Sequence, residues 1–167
     1  GAKIHYVGSI FGLEAKVFPV KDVWHTLLPI RGFQRGISLQ SLGRNSLLPV
    51  RIIRSMLKIR SLMNEFLPQV VVGTGGYASA LPLYMASKKN NPLPIILQEQ
   101  NSYPGMTTRW FADKAKTICV AFNDANTHLE SDTVLTGNPV RHGIADGNPQ
   151  RGFKEFKLAE DHKTIFL

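Results

Sequence analysis

Three short stretches of the chain carry residue types that could do chemistry. In VVVGTGGYAS, Val70–Ser79, three valines run into glycines at 73, 75 and 76. In QEQNSYPG, Gln98–Gly105, four polar side chains stand in a row after an apolar run. The third is TGNPVR, Thr136–Arg141. Glycine amides that lead into a helix N-terminus form a cradle for a phosphate or pyrophosphate. Ser79 is placed to cap that helix or to donate to the same anion. Gly73, Gly75 and Ala78 also fit G-x-G-x-x-A, the dinucleotide pattern, with Glu99 after the next strand as a ribose-binding acid. Against that reading, the pattern falls mid-chain and Pro82 is expected to interrupt the following helix. No Gly-Lys-Ser/Thr follows, which excludes a Walker A loop. A tight βα turn with no ligand is the plain alternative. Glu99, Gln100 and Asn101 can exchange hydrogen bonds with hydroxyls, as a sugar would require, or can cap the next helix. Arg141 suits a diphosphate, and equally suits solvent.

The elements that must position these residues read as alternating strands and helices. Strands are expected at AKIHYVGS, WHTLLPI, QVVVG, PIILQ, ICVAF and DTVLTG. Helices are expected at FGLEAKVFP (stopped by Pro19), SLLPVRIIRSMLKIRSLMNEF, ASALPLYMASKK and MTTRWFADKA. In the second of these, Leu48, Ile52, Met56, Ile59 and Met63 recur at three and four, with Ser46 as N-cap and Pro49 in the first turn. Such alternation implies a doubly wound parallel sheet, in which ligands sit beyond the carboxyl ends of strands. The three stretches all fall there. ADGNPQRG reads as a linker, and HKTIFL as the start of a further strand.

The 167 residues suffice for one α/β domain, and no apolar run approaches a membrane span. One cysteine, Cys119, excludes an internal disulfide and a zinc cluster, and suits a reducing compartment. The net charge of +8 is unevenly spread. No acidic residue lies between Asp22 and Glu65, while Arg31, Arg35, Arg44, Arg51, Arg54, Lys58 and Arg60 do. That field suits nucleic acid, anionic lipid or a polyphosphorylated substrate, or is simply a solvated basic face.

Taken in order and spacing, VVGTGGYAS, QEQNSYPG and TGNPVR resemble the bacterial MurG family of N-acetylglucosaminyltransferases, within glycosyltransferase family 28. The early GLEAKVFP segment resembles that family's Gly-x-Glu segment. The resemblance implies a Rossmann-like parallel sheet, the N-terminal domain of a two-domain glycosyltransferase-B fold, truncated at both ends. Its expected bounds are residues 1–145 for the acceptor-binding domain without its first βα unit, 146–162 for the interdomain linker, and 163–167 for the start of the donor domain. The implied reaction moves N-acetylglucosamine from UDP-N-acetylglucosamine to lipid I, giving lipid II of peptidoglycan by inverting direct displacement, without cofactor or metal. The fragment alone is expected to be inactive.

By the same resemblance, Asn101 and Arg141 bind the donor. Gly73, Thr74, Gly75, Gly76, Tyr77 and Ser79 hold the acceptor's diphosphate, and Gln98, Glu99 and Gln100 form the supporting loop beside Asn101. Gln98 replaces the family's histidine and cannot carry a proton at neutral pH. No catalytic base is assigned, Glu99 being only a distant candidate. Arg51, Arg54 and Lys58 share a helix face beside Leu47 and Leu48, as in an interfacial patch. The family is peripheral on the cytoplasmic face of the cell membrane. Its partners are lipid I, the anionic membrane surface and other cell-wall enzymes, not nucleic acid. The competing readings are an isolated lipid- or anion-binding module and a nucleotide-binding oxidoreductase domain.

Overall fold

The computed structural model describes residues 1–30, 48–88, 92–144, 146–159 and 161–163. The chain falls into two compact units, Gly1–Gly137 and Asn138–Leu167. In the first unit the order is β1 (Tyr6–Ser9), α1 (Glu14–Val20), β2 (His25–Leu28), α2 (Leu48–Phe66), β3 (Val71–Gly73), α3 (Gly76–Ser87), β4 (Ile95–Glu99), α4 (Met106–Phe111), β5 (Thr117–Val120) and β6 (Thr133–Leu135). Short 3-10 turns occupy Ala112–Lys114 and Asn123–His128.

Every strand pair is parallel, as the alternation of strands and helices requires. Strands β3, β4, β5 and β6 form one sheet in chain order, and β1 and β2 form another. Helix α3 packs against both β1 and β3, although these two strands belong to different sheets. Apolar residues of β4 and β5, including Ile95, Leu97, Ile118 and Val120, form the core with Leu83 of α3 and Ile59 of α2. Side chains alternate along a strand. Ile95, Leu97 and Glu99 are therefore buried on one face of β4, while Ile96 and Gln98 are only half-buried on the other. That period of two sets the site, because it drives a carboxylate into the face that holds the core.

Helix α2 follows its expected periodicity with one substitution. Ser55, Ile59 and Met63 are its fully buried residues, and Ile52 and Met56 are half-buried. The expected Ser46 cap lies outside the described residues. The other side of α2 leaves Val50, Ile53 and Leu57 exposed.

Two proline expectations are corrected. Pro19 lies inside α1, which ends at Val20. Pro82 does not interrupt α3: it is buried in the middle of a helix that runs on to Ser87. A proline removes one helical hydrogen bond, here to the Ala78 carbonyl, and its burial against the core offsets the loss. Helix α3 also begins earlier than expected, at Gly76 rather than after it.

In the second unit, the stretch expected as a linker contains a fifth helix, α5 (Pro149–Phe156). The breaker cluster is a helix start. Asn148 caps it by accepting from the Arg151 N–H at 3.1 Å, and Pro149 occupies the first turn, where its missing donor is harmless. Lys157 closes it in the left-handed conformation. Residues 164–167 of the expected strand HKTIFL lie outside the described residues.

Candidate functional site

The loop after β4 is organised by one carboxylate. Glu99, 4% exposed, is the last residue of β4. Its Oε1 accepts from the Asn101 N–H at 3.0 Å and from Asn101 Nδ2 at 2.9 Å. Its Oε2 accepts from the Gly105 N–H at 2.9 Å and from Thr108 Oγ1 at 2.6 Å. The turn thus closes around Glu99 as a clasp, joining the strand end, the loop and the first turns of α4. Burial pushes the carboxyl's pKa up, but the hydrogen bonds from Thr108, Gly105 and Asn101 outweigh it and hold the group below the usual glutamate value.

A carboxylate offers about four acceptor sites, and here all are taken. Glu99 therefore has no lone pair for a ribose hydroxyl, which removes the dinucleotide role considered for it from sequence. It is equally unsuited to take a proton from an attacking hydroxyl. Asn101 itself is exposed. Beyond it, Arg109 Nη1 donates to Tyr103 Oη at 3.1 Å, and the guanidinium lies 5.2 Å from the Tyr103 ring centroid. His128 meets the same ring edge-on at 4.7 Å. The outer side of the loop is thus tied to α4 and to the turn after β5.

The glycines at the end of β3 and just beyond it serve two different needs. Gly73 is buried, and a Cβ there would lie 2.8 Å from Leu83 Cδ1 and 3.1 Å from Leu97 Cδ2. Its purpose is the close packing of α3 on the sheet. Gly75 and Gly76 have φ of 87° and 74°, in the region that favours glycine, and open space lies where their Cβ atoms would be. No side chain caps the N-terminus of α3. Ser79 does not fill that role: its hydroxyl donates back to the Gly75 carbonyl at 2.7 Å and the Gly76 carbonyl at 2.9 Å. Thr74 and Tyr77 are exposed.

A hydrogen bond ties the glycine turn to the helix that follows the Asn101 loop. Thr107 Oγ1, on α4, donates to the Gly76 carbonyl at 3.0 Å. The glycine turn and the Asn101 loop are therefore parts of one surface at the carboxyl ends of β3 and β4. Gln98 and Gln100 stand beside it, with Gln100 Nε2 donating to Gln98 Oε1 at 3.2 Å. Arg141 is exposed and belongs to the second unit. Sequence reasoning missed Thr107 and Thr108. Their signal was present, since two hydroxyl side chains open a short helix at positions that the packing buries. Among the described residues, no cluster of His, Cys, Asp or Glu is placed to hold a metal ion.

The described part of the basic segment begins at Leu48, so Leu47 lies outside the described residues. Leu48 is half-buried. The Arg51 guanidinium lies 5.5 Å from the Phe11 ring centroid. Arg54 and Lys58 are exposed, and Lys58 Nζ donates to the Leu27 carbonyl at 3.4 Å. Helical spacing sets Arg54 and Lys58 beside the exposed Val50, Ile53 and Leu57. No described helix is long and apolar enough to cross a membrane.

Comparison with known proteins identifies a family. Residues 1–120 match the glycosyltransferase family 28 N-terminal domain. The chain is similar to curated proteins named UDP-N-acetylglucosamine–N-acetylmuramyl-(pentapeptide) pyrophosphoryl-undecaprenol N-acetylglucosamine transferase. Identity is 38% to that of Bacteroides thetaiotaomicron, covering 99% of this chain and 44% of the relative. It is 37% to that of Flavobacterium psychrophilum, again with 99% and 44% coverage. For Bacillus subtilis it is 32%, with 97% and 43% coverage. The chain thus spans less than half the length of these relatives. Among solved structures it is similar to the crystal structure of Acinetobacter baumannii MurG, with a TM-score of 0.57 and 24% identity, over 83% of this chain and 37% of that one. At that identity the likeness establishes the fold, a Rossmann-like α/β arrangement of parallel strands and helices.

Proposed function

The chain belongs to glycosyltransferase family 28, as its N-terminal domain, and from that premise we propose that it is the acceptor-side domain of a two-domain N-acetylglucosaminyltransferase. The donor is UDP-N-acetylglucosamine and the acceptor is lipid I. The observation that carries the reading is the joined surface of the Gly75–Gly76 turn and the Asn101 loop, bridged by Thr107. One part offers backbone amides at a helix end, suited to a diphosphate. The other offers a side-chain amide suited to sugar hydroxyls. The relatives' names supply the matching pair of substrates.

In this reading the muramoyl 4-hydroxyl attacks the anomeric carbon as the bond to UDP breaks, and configuration inverts. The hydroxyl proton passes to a base outside the groups described, since Glu99 is saturated. Charge develops on the leaving diphosphate, where Arg141 would stabilise it. The bounds 1–145, 146–162 and 163–167 remain our proposal for acceptor domain, linker and donor-domain start. The break between β1 and β3 fits a sheet completed by one more parallel strand. The Tyr6 N–H donates to the Trp24 carbonyl just before β2, that of Ile10 to the Leu28 carbonyl of β2, and that of Val71 to the segment leading into β4. By alternation, the backbone groups of Val7 and Val72 point the other way.

Three measurements test the proposal in the complete gene product. UDP release with a lipid I analogue tests the activity, and its absence would remove the enzyme reading. Titration with NADH is expected to give no signal, and saturable binding would favour the oxidoreductase domain. Asn101→Ala is expected to weaken UDP-N-acetylglucosamine binding about tenfold, the loss of one or two hydrogen bonds. Unchanged donor affinity would contradict the place given to Asn101.

We also place the protein peripherally on the cytoplasmic membrane face, docked through α2. Exposed Val50, Ile53 and Leu57 beside Arg54 and Lys58 support this, because apolar insertion and basic attraction to lipid act together. Arg54→Glu with Lys58→Glu reverses two charges. At roughly 1 kcal/mol per basic residue, sedimentation with vesicles containing phosphatidylserine or phosphatidylglycerol should fall at least tenfold. Unaltered sedimentation would leave α2 an ordinary solvated helix.

A further inference from the structure

We propose that Glu99 is a positioning residue that fixes the polarity of Asn101, so that Asn101 meets its ligand through Oδ1 as a hydrogen-bond acceptor. The inference rests on the donor-site reading of Asn101 and adds which atom makes the contact and what sets it.

An asparagine side chain is ambiguous, because its carbonyl and amino ends are nearly the same shape. Here the neighbour removes the ambiguity. An ionised carboxylate only accepts, so the atom of Asn101 at 2.9 Å from Glu99 Oε1 must be the amino nitrogen. The backbone N–H of the same residue donates to the same oxygen at 3.0 Å, which closes a small ring and fixes the side chain's rotation. The Glu99 carboxylate cannot swing to release it, since Oε2 is held by the Gly105 N–H and Thr108 Oγ1. With Nδ2 turned inward, Oδ1 is the end of this exposed side chain without a hydrogen bond among the described residues.

Specificity follows from this polarity. A fixed acceptor selects a ligand that presents a donor, which every sugar hydroxyl can do. It disfavours a group that only accepts, such as a phosphate oxygen, a methyl ether or a fluorine at the same ring position. The Asn101 end of the surface would therefore take the sugar rather than the diphosphate. The glycine turn, whose amides donate, has the opposite preference.

The test is a double-mutant cycle in the complete gene product, read as Kd for UDP-N-acetylglucosamine. Glu99→Gln places an amide where Asn101 or Gly105 needs an acceptor. Alone it is expected to weaken donor binding about tenfold, close to Asn101→Ala alone. Since both act through one contact, the double variant should be no weaker than Asn101→Ala. Additive losses, near a hundredfold together, would overturn the proposal and make Glu99 merely structural. A second arm needs no ligand. With asparagine labelled by ¹⁵N, the Asn101 Nδ2 proton pair should exchange slowly with solvent and lie away from the shifts of a free asparagine amide, and both features should be lost in Glu99→Gln. A solvent-exposed pattern already in the wild type would overturn the proposal. If wild-type protein fails to bind the donor, the functional reading falls, and the labelled amide still decides whether Glu99 holds Asn101.

Discussion

Replacing Glu99 by leucine is expected to open the loop after β4, with amide exchange at Gly105 faster by about 100-fold. The leucine would fit the face of β4 on which Ile95 and Leu97 lie. What is lost is the common acceptor of four hydrogen bonds. Bonds to a charged group contribute roughly 1.5–3 kcal/mol each, while donors that regain water or a local partner recover much of that. Asn101 is exposed and can be rehydrated, and the Thr108 hydroxyl can turn to a carbonyl of its own helix. A net loss of about 3 kcal/mol is therefore reasonable, which converts to the stated exchange factor. Exchange is the appropriate measurement because opening here is local, and a global midpoint in a multidomain protein would mix it with other events. Protection at Gly105 equal to wild type would show that the loop is held by the Tyr103–Arg109 contact instead.

The same clasp has a definite pH dependence. The folded pKa of Glu99 lies below the ordinary glutamate value, because its four hydrogen bonds favour the charged form. In the unfolded chain the group titrates at about 4.3. A depressed folded pKa contributes stability that is complete above the unfolded pKa and is lost as pH falls through the folded one. The protection that wild type holds over Glu99→Gln should thus be constant through neutral pH. It should begin to shrink only below the ordinary glutamate range. A difference that grew on acidification would have the wrong sign for this arrangement.

What could be read from sequence divides along physical lines. Parallel α/β alternation was legible because buried strands and amphipathic helices differ in period, and β4 and α2 obey those periods. The loop after β4 stood out because four polar residues follow an apolar strand, although one of them, Glu99, is buried and organises the loop itself. The inward direction of Glu99 was also implicit in the alternation of Ile95, Leu97 and Glu99, but its partners were not. Thr108 and Gly105 reach it only because the chain folds back after Pro104, a tertiary fact. Proline misled twice in α1 and α3. Local propensity counts one lost hydrogen bond, whereas burial of Pro82 against the core enters only in the folded state. At Asn148-Pro149 the breaker residues were correctly seen as punctuation, yet they punctuate the beginning of α5. Arg141 could be singled out by its hexapeptide but not related to the other loops, because it lies in the second unit.

Gly75→Ala is expected to impair acceptor use without destabilising the domain, and Gly73→Ala to do the reverse. Gly75 has φ 87° and ψ −174°, a region that is essentially confined to glycine and costs other residues about 1–3 kcal/mol. Nothing lies within 4 Å of the position of its missing Cβ, so the strain is relieved by rotation of an exposed turn rather than by disturbance of the core. That rotation redirects the amides at the start of α3, which are the atoms assigned to the acceptor diphosphate. In the complete gene product kcat/KM for a lipid I analogue should fall at least tenfold, while donor Kd and the protection of core amides stay near wild type. Gly73 presents the opposite case. An added Cβ would stand 2.8 Å from Leu83 Cδ1, and Leu83 is fully buried. Overpacking of this kind costs about 1–3 kcal/mol and should appear as lost protection along β3 and α3. The two substitutions add the same methyl group two residues apart, so a common effect on hydrophobicity cancels between them. If both lowered stability alike and left kinetics unchanged, the turn would be a packing device from end to end. If they separate as expected, Gly73 serves the fold and Gly75 serves the ligand.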